Sequence, residues 1–233
     1  PANPEPCSMP GRLIAIGDIH GCLAALETVL RAVAPRPEDT IVALGDYVDR
    51  GMHSREVIER LMELSGQCRL VPILGNHDEL LLYLYDGGEG LLDWLSFGGT
   101  TTLYSYGCQT PEEIPAEHIQ FLRDCLPYYE TEQHFFVHAS YVADLPLELQ
   151  PGDALRWWSI RDAQPGPHCS GKRAIVGHTS QRDAQIVDLG HLVCIDTCCY
   201  GGGWLTAMDV HSGKLWQASQ EGETREEMMR DEG

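Results

Sequence analysis

Positive charge is scarce in this chain. Sixteen lysines and arginines stand against 35 aspartates and glutamates, a formal net charge of −19 over 233 residues. Such a surface repels a phosphate backbone, so nucleic acid is not an expected partner. A phosphate-bearing substrate would need strong local positive charge, which bound cations can supply. Long apolar runs are missing as well. No stretch reaches the roughly 18 apolar residues of a membrane span, so no membrane partner is expected. The opening "PANPEPCSMPGR" has neither the basic start nor the apolar core of an export signal. It reads as a flexible lead-in over residues 1–11, and the expected location is cytoplasmic. The nine cysteines show no framework spacing, so reduced thiols are expected. Cys194, Cys198 and Cys199 cluster without the paired spacing or matching histidines of a zinc site. They read as small buried side chains beside a tight turn. Neither a linker nor an internal repeat divides the chain. A single domain is expected over 12–218, followed by an acidic mobile tail over 219–233.

What is present is a regular alternation in the first third. "RLIAIG" (12–17), "TIVALG" (40–45) and "RLVPILG" (69–75) are short apolar runs ending in glycine and read as strands. Between them, "CLAALETVLRAVA" (22–34) and "SREVIERLMELS" (54–65) carry helical spacing, with Ser54 as the expected N-cap. "DELLLYLY" (78–85) starts a third helix. Short β–α spacing implies a parallel sheet. Further on, "EGLLDWLSFGG" and "AEHIQFLRDCL" look helical and "HFFVHAS" (134–140) reads as a strand. The long Pro- and Gly-rich stretch from Tyr141 to Lys172 reads as a surface excursion. Later short β segments, broken by glycine and by a hairpin-like "HSGK", predict a second mixed or antiparallel sheet. The expected class is α/β (α+β), with two central mixed sheets sandwiched by helices.

Each parallel strand ends in a charged phrase: "GDIHGC", "GDYVDRG", "GNHDE". Later segments end "FVHA" and "IVGHT". Ligands of open α/β sheets bind beyond the carboxyl ends of the strands. The loops should therefore bring Asp18, His20, Asp46, Asp49, Arg50, Asn76, His77, His138 and His178 into one crevice. Singly, each phrase has a bland reading as a polar turn, a helix cap or a satisfied core histidine. Those readings would have to hold independently at five strand ends. Burying such charges costs several kcal/mol unless they are paired or bind metal. Carboxylate, imidazole and amide oxygen together suit Mn²⁺, Fe or Zn²⁺. Asp46, with two oxygens, can bridge two ions, with Asn76, His138 and His178 completing the second. Two metals about 4 Å apart are suited to phosphoryl chemistry.

In this order the phrases resemble the metallo-dependent phosphoprotein phosphatases, calcineurin-like metallophosphoesterases, and most of all their compact bacterial and phage-type serine/threonine members. The likeness runs from about residue 12 to 210 and implies a four-layer αββα fold. It implies two divalent ions, Mn²⁺ foremost, with Asp18, His20 and Asp46 on the first and Asp46, Asn76, His138 and His178 on the second. It implies that Arg50 and Asn76 bind the substrate phosphate, and that His77, oriented by Asp49, protonates the leaving group. A second phosphate-binding arginine is expected between His138 and His178: Arg161 on spacing, with Arg156 the alternative. The reaction would be direct in-line attack by an activated water, without a phosphoenzyme.

Two details pull the expected substrate apart. Leu74 and Asp78 in "LGNHD" resemble hydrolases of diadenosine tetraphosphate, whereas "DRG" in the second phrase resembles protein phosphatases. The first expectation is a phosphoserine or phosphothreonine protein as substrate, with a small phosphate ester of the dinucleoside polyphosphate type as the alternative. "HAS" and "DTCC" depart from the family's usual "HAG" and "DTG", the second at the turn before Tyr200.

Overall fold

The computed structural model describes residues 11–229. The lead-in therefore lies outside the described residues, apart from Gly11, and so does the end of the acidic segment beyond 229. The chain opens with strand β1 (Leu13–Ile16), helix α1 (Leu23–Val33), β2 (Thr40–Ala43), α2 (Ser54–Ser65), β3 (Arg69–Pro72) and α3 (Asn76–Tyr85). This is the alternation expected, with β1 parallel to β2 and β2 to β3. Pro72 is tolerated because β3 is an edge strand whose outward side meets, among the described residues, only an isolated bridge, where Pro72 O accepts from Leu126 N at 2.8 Å and no N–H is needed from the proline. Ser54 is not the N-cap of α2. His53 takes that position, and the Ser54 hydroxyl accepts a hydrogen bond from Asp49 N at 3.1 Å.

Helices α4 (Leu91–Trp94), α5 (Thr100–Tyr106) and α6 (Ala116–Arg123) follow, with a kink at Gly98 (φ 122°) in the segment Leu95–Gly99 between the first two. Then come β4 (Tyr129–Glu130), β5 (His134–Phe136), α7 (Gly152–Arg156), β6 (Arg173–Val176), β7 (Val187–Asp188) and β8 (Leu192–Cys194). The chain continues with β9 (Leu205–Asp209), β10 (Lys214–Ala218) and β11 (Thr224–Met228). The order β4-β5-β6-β8-β7 makes one sheet and β11-β10-β9-β1-β2-β3 the other.

Two expectations need correction here. The late β segments do not all build the second sheet: β9 pairs antiparallel with β1 and extends the first. Beyond 218, Thr224–Met228 pairs antiparallel with β10, so the segment expected to be a mobile tail is in part an edge strand. Backbone hydrogen bonding to a neighbouring strand holds it there, and such pairing leaves no local charge signal in the sequence.

Alternation along β1 shows how the layers form. Ile14 and Ile16 face α1 and α2, whereas Leu13 and Ala15 point the other way and pack with Phe136, Ile175 and Val193 of the second sheet. The two sheets thus share a dry interface, with helices on the outer face of the first. On the outer face of the second lies the long excursion, through Tyr141, Leu147, Leu155 and Ile160. That fourth layer contains only one short α-helix among the described residues, because proline and glycine interrupt the segment. Cys194, Cys198 and Cys199 are all buried, as small core side chains should be.

Candidate metal centre and active site

The carboxyl ends of β1, β2, β3, β5 and β6 meet at one edge of the sheet sandwich. Asp18, His20, Asp46, Asp49, Asn76, His77 and His138 are all buried there. The loops are bent hard. Of the described non-glycine residues, His20, Asp46, Asp49, Arg50 and His178 all have φ between 46° and 71°. Left-handed backbone is costly for such residues and persists where the surroundings enforce it, typically at functional sites. The enforcement is visible: Asp78 accepts from Asp46 N at 2.8 Å, Tyr47 N at 3.0 Å and Gly75 N at 3.1 Å. Burial and the neighbouring Asp46 push the Asp78 carboxyl up to about 8. Gly177 is required by close approach, since a Cβ there would collide with Asp18 Oδ1.

The imidazoles are held in one pattern. His138 Nδ1 donates to Leu44 O at 2.7 Å, and its Nε2 lies 3.0 Å from Asn76 Oδ1 and 3.5 Å from Asp46 Oδ1. His178 Nε2 donates to Trp157 O at 3.2 Å, and its Nδ1 lies 2.9 Å from the same Asn76 oxygen. Burial lowers the pKa of both rings, that of His178 to about 4, so both are neutral near pH 7. Each ring has therefore spent its single N–H on a backbone carbonyl. Its lone pair faces an amide oxygen that is itself an acceptor. That convergence of lone pairs beside the Asp46 carboxylate is repulsive without a cation, so the donors fit a divalent metal. His20 repeats the pattern, with Nδ1 2.9 Å from Val48 O and Nε2 3.3 Å from Asp46 Oδ2.

Two groups of side chains offer ligand atoms within 4.8 Å of one another: His20, Asp46 and His77, and Asp46, His138 and His178. Asp46 is common to both. Asp18 belongs to neither. Its carboxylate instead accepts from the His178 N–H, at 3.1 Å through each oxygen. Burial, then Asp196 and Asp46, raises the Asp18 pKa well above the usual range, as expected of a buried carboxylate beside other carboxylates.

His77 is occupied at both nitrogens. Nδ1 donates to Asp49 Oδ2 at 2.7 Å, and Nε2 accepts from Arg50 Nη2 at 3.0 Å. Burial alone would depress its pKa, but Asp46 and the Asp49 hydrogen bond outweigh that and raise it. The Arg50 guanidinium lies over the Tyr200 ring, 4.2 Å from its centroid. The expected second arginine is not in this group. Arg161 is exposed and donates to Ser180 O at 2.7 Å, and Arg156 pairs with Glu79 at 2.5 Å. Sequence reasoning missed Trp94, Thr102 and Tyr200, which carry no spacing signal. They reach the site only through folding.

A family profile for calcineurin-like phosphoesterases matches residues 11–203. The chain belongs to that family. Among curated relatives, a protein of Baumannia cicadellinicola named symmetrical bis(5'-nucleosyl)-tetraphosphatase is 48% identical over 73 residues, 31% of this chain. That match spans only a quarter of the relative's own length. A Bordetella pertussis protein of the same name is 27% identical across 90% of this chain and 96% of its own. A crystal structure of a protein provisionally named a diadenosine tetraphosphatase superposes with a TM-score of 0.66 at 24% identity, covering 96% of each chain. At that identity the likeness concerns the fold. Members of that family are hydrolases that use divalent metals. No described helix is long and apolar enough to cross a membrane.

Proposed function

We propose that this phosphoesterase hydrolyses dinucleoside polyphosphates, with diadenosine tetraphosphate as its reference substrate. The observation that carries the reading is the Bordetella relative, aligned over nearly the whole of both chains and named for that activity. The "LGNHD" phrase supports it, since Leu74 and Asp78 resemble the corresponding positions of diadenosine tetraphosphate hydrolases. This displaces the phosphoprotein expectation, which rested on "DRG" and finds no support in the names of these curated relatives.

His20 and Asp46, with Asp18 as the further ligand that the family resemblance implies, would hold one divalent ion, and Asp46, Asn76, His138 and His178 a second. When bound, such ions polarise phosphoryl oxygens and acidify a water. The chain's own groups do the rest. Arg50, a planar donor, grips a phosphate bidentately once it leaves His77 Nε2. Tyr200 supports the guanidinium from one side. His77 donates a proton to the leaving oxygen, and Asp49 stabilises the imidazolium and fixes its tautomer.

The deciding experiment compares kcat/KM on diadenosine tetraphosphate and on a phosphoserine peptide, side by side with Mn²⁺ present. A preference of about a hundredfold or more for the dinucleotide, some 2.7 kcal/mol of transition-state discrimination, is the expected result. The opposite preference would return the protein phosphatase reading.

A further inference from the structure

Trp157 is an exposed aromatic fixed at the edge of the proposed metal site by two independent anchors. Its carbonyl accepts from His178 Nε2 at 3.2 Å, so its backbone is tied to a residue of the metal group. Its indole Nε1 donates to Glu79 Oε2 at 2.7 Å, which ties the ring to α3. Glu79 lies three residues after Asn76 on that helix, on the same side. The other Glu79 oxygen is held by Arg156 Nη2 at 2.5 Å. Trp157 nevertheless stays 41% exposed.

This arrangement is economical for ligand binding and has no evident value for packing. The polar handle of the indole is satisfied, so the ring is oriented while apolar surface stays open to solvent. A pre-oriented ring loses little entropy when a ligand covers it. Arg156 neutralises Glu79, so no bare carboxylate faces an incoming polyanion. Arg156, the alternative to Arg161 as a second phosphate ligand, thus has a different place, as a positioning residue behind the tryptophan.

We propose that Trp157 is the stacking platform for one nucleobase of the substrate, with Glu79 and Arg156 holding it in place. The inference rests on the dinucleotide reading above and specifies how the nucleoside end is bound. An indole presents a π face to any base, so the platform gives affinity without choosing the base. Adenine and guanine dinucleotides should therefore be accepted alike.

The test uses the full chain supplied with Mn²⁺ and measures calorimetric affinity for ADP and for inorganic pyrophosphate, which has no base. Trp157→Ala should weaken ADP binding roughly tenfold to a hundredfold, the usual scale of one stacked base, and leave pyrophosphate unchanged. Trp157→Phe, which keeps an aromatic face, should recover most of the loss, and Glu79→Ala should lose part of it. An equal loss for both ligands would mean a structural role and overturn the proposal, as would unchanged ADP affinity in Trp157→Ala. Turnover of diadenosine tetraphosphate by the wild type is a separate measurement. Its absence would sink the dinucleotide reading, whereas the ADP-to-pyrophosphate comparison judges Trp157 directly.

Discussion

Trp94 and His77 share one carboxylate oxygen. Asp49 Oδ2 accepts from the Trp94 indole at 2.9 Å and from His77 Nδ1 at 2.7 Å, while Oδ1 accepts from Thr102 at 2.7 Å. Asp49 is completely buried and its carboxylate orientation is set from both sides. The imidazole it holds is therefore aimed by residues far from it in sequence.

The first prediction concerns pH. Asp49 favours the charged form of His77, whose pKa is raised. A general acid must be protonated, so activity falls as pH rises through that pKa. Asp49→Asn removes the stabilising charge, so the basic limb of the kcat profile should move to lower pH, with kcat reduced about tenfold or more. An unmoved basic limb would remove His77 as the titrating acid.

Leaving-group chemistry gives the second. His77→Asn should keep metal content, read by elemental analysis, and slow hydrolysis of an alkyl phosphomonoester by roughly 10²–10⁴. The loss on diadenosine tetraphosphate should be smaller, because a leaving phosphate oxygen needs a proton less than an alkoxide does. Equal losses on both substrates would contradict proton donation.

Metal retention provides the third. His178 titrates near 4 because burial and the neighbouring His138 disfavour its charge. Protons therefore do not compete for its lone pair near neutrality. Mn²⁺ content should hold as pH falls until the raised Asp18 pKa is reached, and excess Mn²⁺ should raise Tm. At a hundred times Kd the added stability is about 2.7 kcal/mol. His138→Ala, which leaves the first group of ligands in place, should reduce that rise; a full rise in the variant would place the second metal elsewhere.

Stability away from the site supplies the fourth. Asp39 is fully buried and accepts from Arg12 Nε at 3.1 Å, Arg36 N at 2.9 Å and Arg36 Nη2 at 3.0 Å. Burial alone would raise its pKa, but the Arg12 and Arg36 hydrogen bonds win and lower it. A lowered carboxylate pKa contributes stability above its unfolded value of about 3.9, lost as pH falls through the folded value. Asp39→Ala should cost about 2–3 kcal/mol near pH 7, less than a fully buried pair because water reaches both guanidinium groups. The gap to wild type should narrow below about pH 4. A constant gap in chemical denaturation across that range would exclude the linkage.

Much of this protein was legible in its residues alone. Apolar runs ending in glycine, followed by helical spacing, determined β1 to α3, because local periodicity and backbone preference act within a few residues. Asp18, His20, Asp46, Asn76, His138 and His178 were nameable because each stands directly after a strand, where the topology of an open sheet has to deliver it. The tertiary structure decided what depends on partners distant in sequence. Only folding could join β9 to β1 or turn part of the acidic end into β11, since strand pairing is chosen by ladders and buried faces rather than by local pattern. Only folding could bring Trp94 and Thr102 to Asp49. It also set Arg156 against Glu79, away from the phosphate role for which it was the alternative to Arg161. An arginine's role depends on which acceptor its long side chain reaches, and that is fixed by the packing of separate elements.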